Sequence, residues 1–440
     1  MEWPIKRIMQ NQCRPSRDNF AALSRFFEFL NEHRKFSCSI LLSFALWGAA
    51  QDGPAKEISP VDDYCREINE LSSGSEVFLQ PGVYRGSCKV HRGGKPGVPL
   101  VIRALNPTDK PLIKYEGKNG NVLEIYADNI LIQGLKFGPT SSDVDGIRIF
   151  SGDNVTVEDC AFSQIGGIAV VANHASIKGL VVRRNTIIDS ASTGMYFGCH
   201  DGVACAVSQL LIERNLVKGV FARGSDIGYG IQIKLNSFGT VRDNVVVGTK
   251  GPGIMVYGAN NLSEISIIER NFVAESRESS GVVVGGGPVI VRNNIVISNN
   301  EGGVGLEDYG RRGLMRKVVV KYNTIYNNGR GGILISSGSS NEAEISYNAV
   351  GGREGTLLFP TDREGLRVVG NQDCRNTVCF VDPANKDFTP AKGSLLSGTG
   401  ESADRKPPPM LDYFGRTRGN SPAIGAIEPP GGPIRLEIKP

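Results

Sequence analysis

One asparagine recurs along this chain at an interval that a compact globular domain does not produce. Asn185, Asn215, Asn244, Asn271, Asn294, Asn323 and Asn348 sit in the runs RRNTI, ERNLV, RDNVV, ERNFV, RNNIV, KYNTI and SYNAV. Successive members are 30, 29, 27, 23, 29 and 25 residues apart, and the frame reaches back to Cys160 and Leu135, 25 residues each. A second series interleaves with it: GIRI at Gly146, GIAV at Gly167, GMYF at Gly194, GIQI at Gly230, GIMV at Gly253, GVVV at Gly281, GVGL at Gly303 and GILI at Gly332. The runs are short, rich in Val and Ile, and separated by Gly and Asn. No 3.6-residue apolar period fits them, so helical repeats are excluded. The physical solution is a solenoid of ~25-residue coils whose strands pair in parallel from coil to coil, with apolar residues stacked inside. Asn suits the recurrent turn on two counts. It tolerates left-handed backbone, and its amide can bond the amide one coil on.

Composition agrees with a chain full of tight turns. Glycine is 55 of 440 residues, without a collagen period, and apolar content is 40% against 21% charged, too apolar for a disordered chain. The net charge is +4, and residues 1–50, with seven Lys/Arg and four Asp/Glu, hold +3 of it. A nucleic-acid-binding surface is therefore not expected. That N-terminal stretch reads as a leader. His33-Arg34-Lys35 precede the apolar run Phe36–Ala50, which is short for a membrane span and ends in small residues. The expectation is a secreted or periplasmic protein with no membrane span after leader removal. Cys13 and Cys38 go with the leader; of the other seven, Cys199 with Cys205, Cys374 with Cys379, and Cys65 with Cys88 could each form a staple, leaving Cys160 over.

The coil pattern resembles the right-handed parallel β-helix superfamily of pectate lyases, alginate lyases and C5-epimerases. Its head (DDYCREINEL, SGSEVFLQPGVYRG) and tail (DYFGRTRG, IGAIE) resemble those families as well. The resemblance spans roughly residues 60–430. It implies an all-β, single-stranded parallel β-helix with a capping helix near 61–71, a main body over 51–350, and last coils with a tail over 351–440. Its chemistry is not carried over, because neither the DPHD-type motif of alginate epimerases nor the Lys–Arg pair of the chondroitinase-B group is found.

Candidate chemistry follows from the alternation of the Gly-led strands. Residues two and four after each glycine point outward in turn, giving Arg148 and Phe150, Ala169 and Val171, Tyr196 and Gly198, Gln232 and Lys234, Met255 and Tyr257, and Gly305 and Glu307. Tyr196, Gln232, Lys234 and Tyr257 fall on three consecutive coils beside two long loops. One is the Cys199–Cys205 loop with His200 and Asp201; the other, residues 218–229, carries Arg223 and Asp226. Lys234 is a candidate proton-abstracting base, since burial between tyrosines lowers an ammonium pKa; the plainer reading is a solvated surface lysine. Tyr196, Tyr257 and His200 are candidate acids or bases, and the tyrosines could also stack on sugar rings. Arg148, Arg223, Gln232, Asp226 and Glu307 are candidate substrate-binding groups, the arginines as partners of a uronate carboxylate. Glu307-Asp308 could hold Ca²⁺ or serve a glycosidase, but no metal motif supports a cofactor.

Three functions stay open at this level. The first is a lyase or epimerase on an acidic, uronate-containing polysaccharide, working as a monomer. The second is a glycoside hydrolase using Asp201, Asp226 or Glu307. The third is a non-catalytic polysaccharide-binding protein.

Overall fold

The computed structural model describes residues 53–221, 226–336, 342–352, 365–398 and 411–438, with the backbone alone at 358–359. The leader and Arg223 lie outside the described residues. The chain winds into three long parallel sheets of 13, 12 and 11 strands. One coil shows the plan: Val155–Glu158 belongs to sheet 1, Ala161–Ile165 to sheet 2 and Val170–Ala172 to sheet 3. Each strand pairs in register with its counterpart one coil on, as Thr186↔Leu216 and Leu216↔Val245 do in sheet 2. A helix at Tyr64–Asn69 caps the start, held to the strand Cys88–Val90 by the Cys65–Cys88 disulfide. The other two staples, Cys199–Cys205 and Cys374–Cys379, are also present, and Cys160 is free and buried.

The asparagine ladder forms at the corner from sheet 1 to sheet 2. Asn185 Nδ2 donates to Asn215 Oδ1 at 3.0 Å, Asn215 to Asn244 at 2.9 Å, and Asn244 to Asn271 at 3.0 Å. Each Oδ1 also accepts the preceding coil's backbone N–H, so a corner that would orphan buried donors satisfies them. The series runs one rung further than the sequence reading took it, from Asn348 to Asn371. One expectation is corrected. The left-handed residue is not the asparagine but its predecessor: Arg184, Arg214, Asp243, Arg270, Asn293, Tyr322 and Tyr347 all have φ near +55°. Asparagine is required there for its amide, and the strained turn beside it accepts several residue types.

The glycines before sheet 3 have a different cause. A Cβ on Gly194 would lie 2.5 Å from Gly230 O, and one on Gly230 would lie 2.4 Å from Gly253 O. Backbones stack too closely at this corner for a side chain. The frame also corrects one coil: Ile147 pairs with Val170, so Ala169 takes the glycine position and is buried in the core, not outward.

The exteriors of the three sheets differ. Sheet 1 carries a ladder of alternating charge, Glu158, Arg183, Glu213, Arg242, Glu269 and Arg292, paired along the axis. The outer face of sheet 2 is exposed in its earlier coils, at Lys136, Ser163, Ile188 and Lys218, and apolar and covered in its later ones. Val245, Phe272 and Ile295 pack against Tyr413, Ile424 and Ile427 of the tail, while Val246, Val273 and Val296 face the inner core. Buried Arg418 locks the tail down, bonding Asn293 Oδ1 at 2.7 Å and Glu428 at 2.5 Å. Sheet 3 carries neither a continuous charge ladder nor the tail.

Candidate functional site

On sheet 3 one outward row runs Glu124, Arg148, Val171, Tyr196, Gln232, Met255, Val283, Gly305 and Leu334 in strict register. Lys234 and Tyr257 lie just beyond the strands Ile231–Ile233 and Ile254–Val256, one coil apart. The alternation therefore sends Lys234, Tyr196 and Tyr257 out of the solenoid and together. Lys234 Nζ stands 4.1 Å from the ring centre of Tyr257 and 5.7 Å from that of Tyr196, in reach of a cation–π attraction.

These side chains do not face open solvent. Tyr229, Leu235, Met255, Tyr257, Val283 and Leu314 make a small apolar cluster outside the solenoid wall. Leu314 comes from the loop after the strand Gly302–Leu306, which folds back over the wall. Asp308 ties that loop, accepting from Gly313 N at 3.0 Å. Lys234 is only 2% exposed. Burial, and then the nearby Arg312 guanidinium, pull its ammonium down to a pKa of about 8. No carboxylate among the described residues pairs with it.

Arg312, which the sequence shows only as part of the charged run following Glu307-Asp308 and to which it assigns no role, joins Lys234 here. Its guanidinium lies 5.8 Å from the Tyr257 ring centre and 5.3 Å from that of Tyr309, and its Nε donates to Tyr309 O at 2.7 Å. Burial lowers its pKa. Two cations thus share one aromatic ring, and no ion pair with a carboxylate relieves Arg312 among the described residues. Its sequence signal was faint: a basic pair in a loop following Glu307, three coils after Lys234.

The remaining groups fill in the wall. Gln232 Nε2 donates to the Tyr257 hydroxyl at 3.1 Å, and the Tyr257 and Tyr229 hydroxyls are 3.1 Å apart. Gln232 Oε1 is buried without a partner. Desolvation pushes Tyr196 up to about 12 and raises Tyr257 and Tyr229, so all three keep their protons at neutral pH. Glu307 is half-buried, and burial, then the Glu301 charge, raises its carboxyl pKa. Its charge is also felt at Tyr229.

Other sequence candidates sit apart. Arg148 lies three coils from the Lys234 rung, ~14 Å away at the spacing of parallel strands. Its guanidinium is taken by Asp145 at 2.5 Å and Asn173 Oδ1 at 2.7 Å. His200 is exposed on the stapled loop and makes no hydrogen bond among the described residues. Asp201 is taken by the backbone N–H groups of Val203 and Ala204. Asp226 is exposed, and its carbonyl accepts from Lys250 Nζ at 2.8 Å. Among the described residues no group of three or more His, Cys, Asp or Glu is placed to hold a metal ion, and no helix is long and apolar enough to cross a membrane.

The winding defines a parallel β-solenoid, and a polar cluster stands on its third wall. The family model for the right-handed β-helix region matches residues 113–266 and 207–373, more than half of the chain. The chain belongs to that family. No curated protein sequence matches it. Among solved structures it is similar to the A-module of a mannuronan C-5 epimerase from Azotobacter vinelandii, with 15% identity and TM-score 0.48 over 68% of this chain and 87% of that one. It is similar to an alginate lyase from Paenibacillus, with 17% identity and TM-score 0.47 over 73% and 99%. An exopolygalacturonase from Thermotoga maritima gives 12% identity and TM-score 0.48 over 72% and 92%.

Proposed function

We propose that this protein is an exported enzyme that abstracts the C5 proton of a uronate in an acidic polysaccharide, as a lyase or a C5-epimerase. The observation that carries the reading is Lys234. It is a buried ammonium with no counter-charge, at a pKa of about 8, so a substantial neutral fraction exists near neutral pH. A neutral lysine can accept a proton, and an uncompensated cationic site attracts an anion. Arg312 supplies the second cation. With Lys234 neutral, its guanidinium holds the uronate carboxylate and makes the adjacent C5 proton more acidic. The three disulfides fit an oxidising compartment outside the cytosol.

A hydrolase needs two carboxyl groups facing each other across one glycosidic bond. Of the three acids considered, Glu307 is half-buried beside the tyrosines, while Asp201, whose charge is felt at Tyr196, is exposed and held by its own loop's N–H groups, which favours proton abstraction.

The test is to incubate the protein with uronate and neutral glycans and to follow two signals. These are the absorbance of an unsaturated uronate and deuterium uptake at C5. Uronate-specific signals that vanish in Lys234→Ala support the reading. Cleavage of glycans without a double bond, or saturable binding without either signal, overturns it in favour of a hydrolase or of a binding protein.

A further inference from the structure

A trough of about 450 Å³ lies along the corner where sheet 2 turns toward sheet 3, and no residue of the Lys234 cluster lines it. Its volume is that of a small-ligand site. It crosses four successive coils, from Pro139 to Phe221, ~14 Å at the spacing of parallel strands. The floor carries almost no side chain: it is made by Ala191 and by Gly166, where a Cβ would run into Ser141 O. The rim carries Gln164 and Asp189, which take the same left-handed position one coil apart, with φ of 54° and 60°. Neither side chain has a hydrogen-bond or ion-pair partner among the described residues.

In the next coil that rim position is Gly219. A Cβ there would lie 2.5 Å from Asp189 Oδ1 and 3.2 Å from the edge of the Phe221 ring, so the carboxylate and the ring flank one bare position. Phe221 is 52% exposed. Arg277, two coils on, steadies it: the guanidinium lies 4.9 Å from the ring centre, and Nη2 donates to Val220 O at 3.4 Å.

We propose that this trough is a second, non-catalytic site that holds neutral sugar units. Packing accounts for the bare floor, because stacked backbones leave Gly166 no room for a side chain. It does not account for a ring kept half in water beside an acid with no partner. Either feature alone is ordinary on a protein surface. Together, across one trough, they present both halves of a sugar's chemistry. The Phe221 ring packs the C–H face of a pyranose, and the Asp189 carboxylate, an acceptor only, takes its hydroxyl protons. Gln164, which both donates and accepts, serves the next unit along the trough. The Asp189 charge sets the class of ligand, since it repels a sugar that bears a carboxylate of its own. The site therefore selects against the uronates proposed for the Lys234 face. It does not depend on that reading, because its chemistry is binding alone.

The test is calorimetric and NMR titration of the full chain with neutral hexasaccharides of glucose, mannose and galactose, and with a uronate hexasaccharide. At least one neutral hexasaccharide should bind, and the uronate should leave the resonances of the trough unmoved. Phe221→Ala should weaken the neutral ligand by at least ~5-fold, the loss expected of an aromatic contact residue, and Asp189→Asn should weaken it as well. Melting curves should show both variants folded, since neither side chain is buried. Turnover then separates two sources of the sugar. A Phe221→Ala loss confined to polymers that interleave uronates with neutral units places the sugar on the substrate chain. Lost binding with unchanged turnover places it on a separate neutral polysaccharide. Either result supports the site. If no neutral hexasaccharide binds, or if binding survives both substitutions, the proposal is overturned. A uronate that binds the trough and is lost in Phe221→Ala also overturns it. The titrations need no turnover, so a protein inert on every uronate would sink the Lys234 reading and leave this one standing.

Discussion

Two cationic patches stand on the same outer wall of sheet 3, three coils apart, and they have opposite characters. Around Arg148 every charge is answered. Asp145 and Asn173 take the guanidinium, and Glu124, which accepts from Asn121 and Tyr126, lies 3.9 Å from Lys89. Its rings are answered too. His91 stacks on Tyr126 at 4.9 Å, Tyr126 on Phe150 at 4.8 Å, and His174 closes the row edge-on at 5.0 Å. Rings stacked along the axis cover one another's inner faces. Around Lys234 the polar hydrogens find partners but the charges do not: two cations share a tyrosine ring, an amide oxygen is orphaned, and a carboxyl lacks an ion-pair partner among the described residues. An outward polar row is thus not itself a site. A solenoid wall becomes one where the charges placed on it are left uncompensated, because only there does a ligand relieve an existing cost.

The contrast can be broken experimentally, beginning with the largest effect. Lys234→Met should reduce turnover by ~10²–10⁴-fold, the range for loss of a general base, while leaving stability unchanged or raised. Arg148→Met should do the reverse. It strands buried Asp145 and should destabilise the fold by ~3–5 kcal/mol in denaturant titrations, with little effect on the turnover of folded enzyme. Opposite signs on the two axes are the signature; like signs would erase the distinction between the patches.

Arg312→Ala should raise KM for uronates by about tenfold or more, the loss of a charge-assisted contact of ~1.5–3 kcal/mol. It should also move the ascending limb of the pH–rate profile upward, because Arg312 repels the Lys234 ammonium. In the wild type that limb should rise through about 8, where Lys234 becomes neutral. The same shift has a stability consequence of definite sign. Between about pH 8 and 10 the unfolded chain still protonates this lysine and the folded chain does not, so stability gains a term that rises with pH. Lys234→Met should lack that term in melting curves taken across the window. The smallest effect belongs to His200→Ala. An exposed imidazole that bonds to nothing among the described residues should change kcat/KM by less than about twofold, since surface substitutions rarely exceed ~0.5 kcal/mol.

The coil register was legible because each rung repeats a chemical requirement. A buried corner needs an amide at Asn185 and again at Asn215 and Asn244, and a close corner forbids a side chain at Gly194 and Gly230. The meeting of Tyr196, Lys234 and Tyr257 followed from that register. Gly167 misled it in one coil, because a glycine in a tight loop looks like a glycine at a stacked corner, and pairing alone tells them apart. His200, Asp201 and Asp226 looked close because they neighbour the site along the chain. Loop conformation turned them to solvent or to their own backbone.

What the sequence determined by itself was the winding and the direction each strand residue faces, since both are set by short-range periodicity summed over coils. Only the tertiary structure decided which outward residues are covered and which charges find partners. The tail covers the later coils of sheet 2, and a loop three coils beyond Lys234 brings Arg312, Tyr309 and Leu314 over that lysine. Compensation of charge depends on where loops land, and a loop's landing place is fixed by packing, which carries no period for a sequence to display.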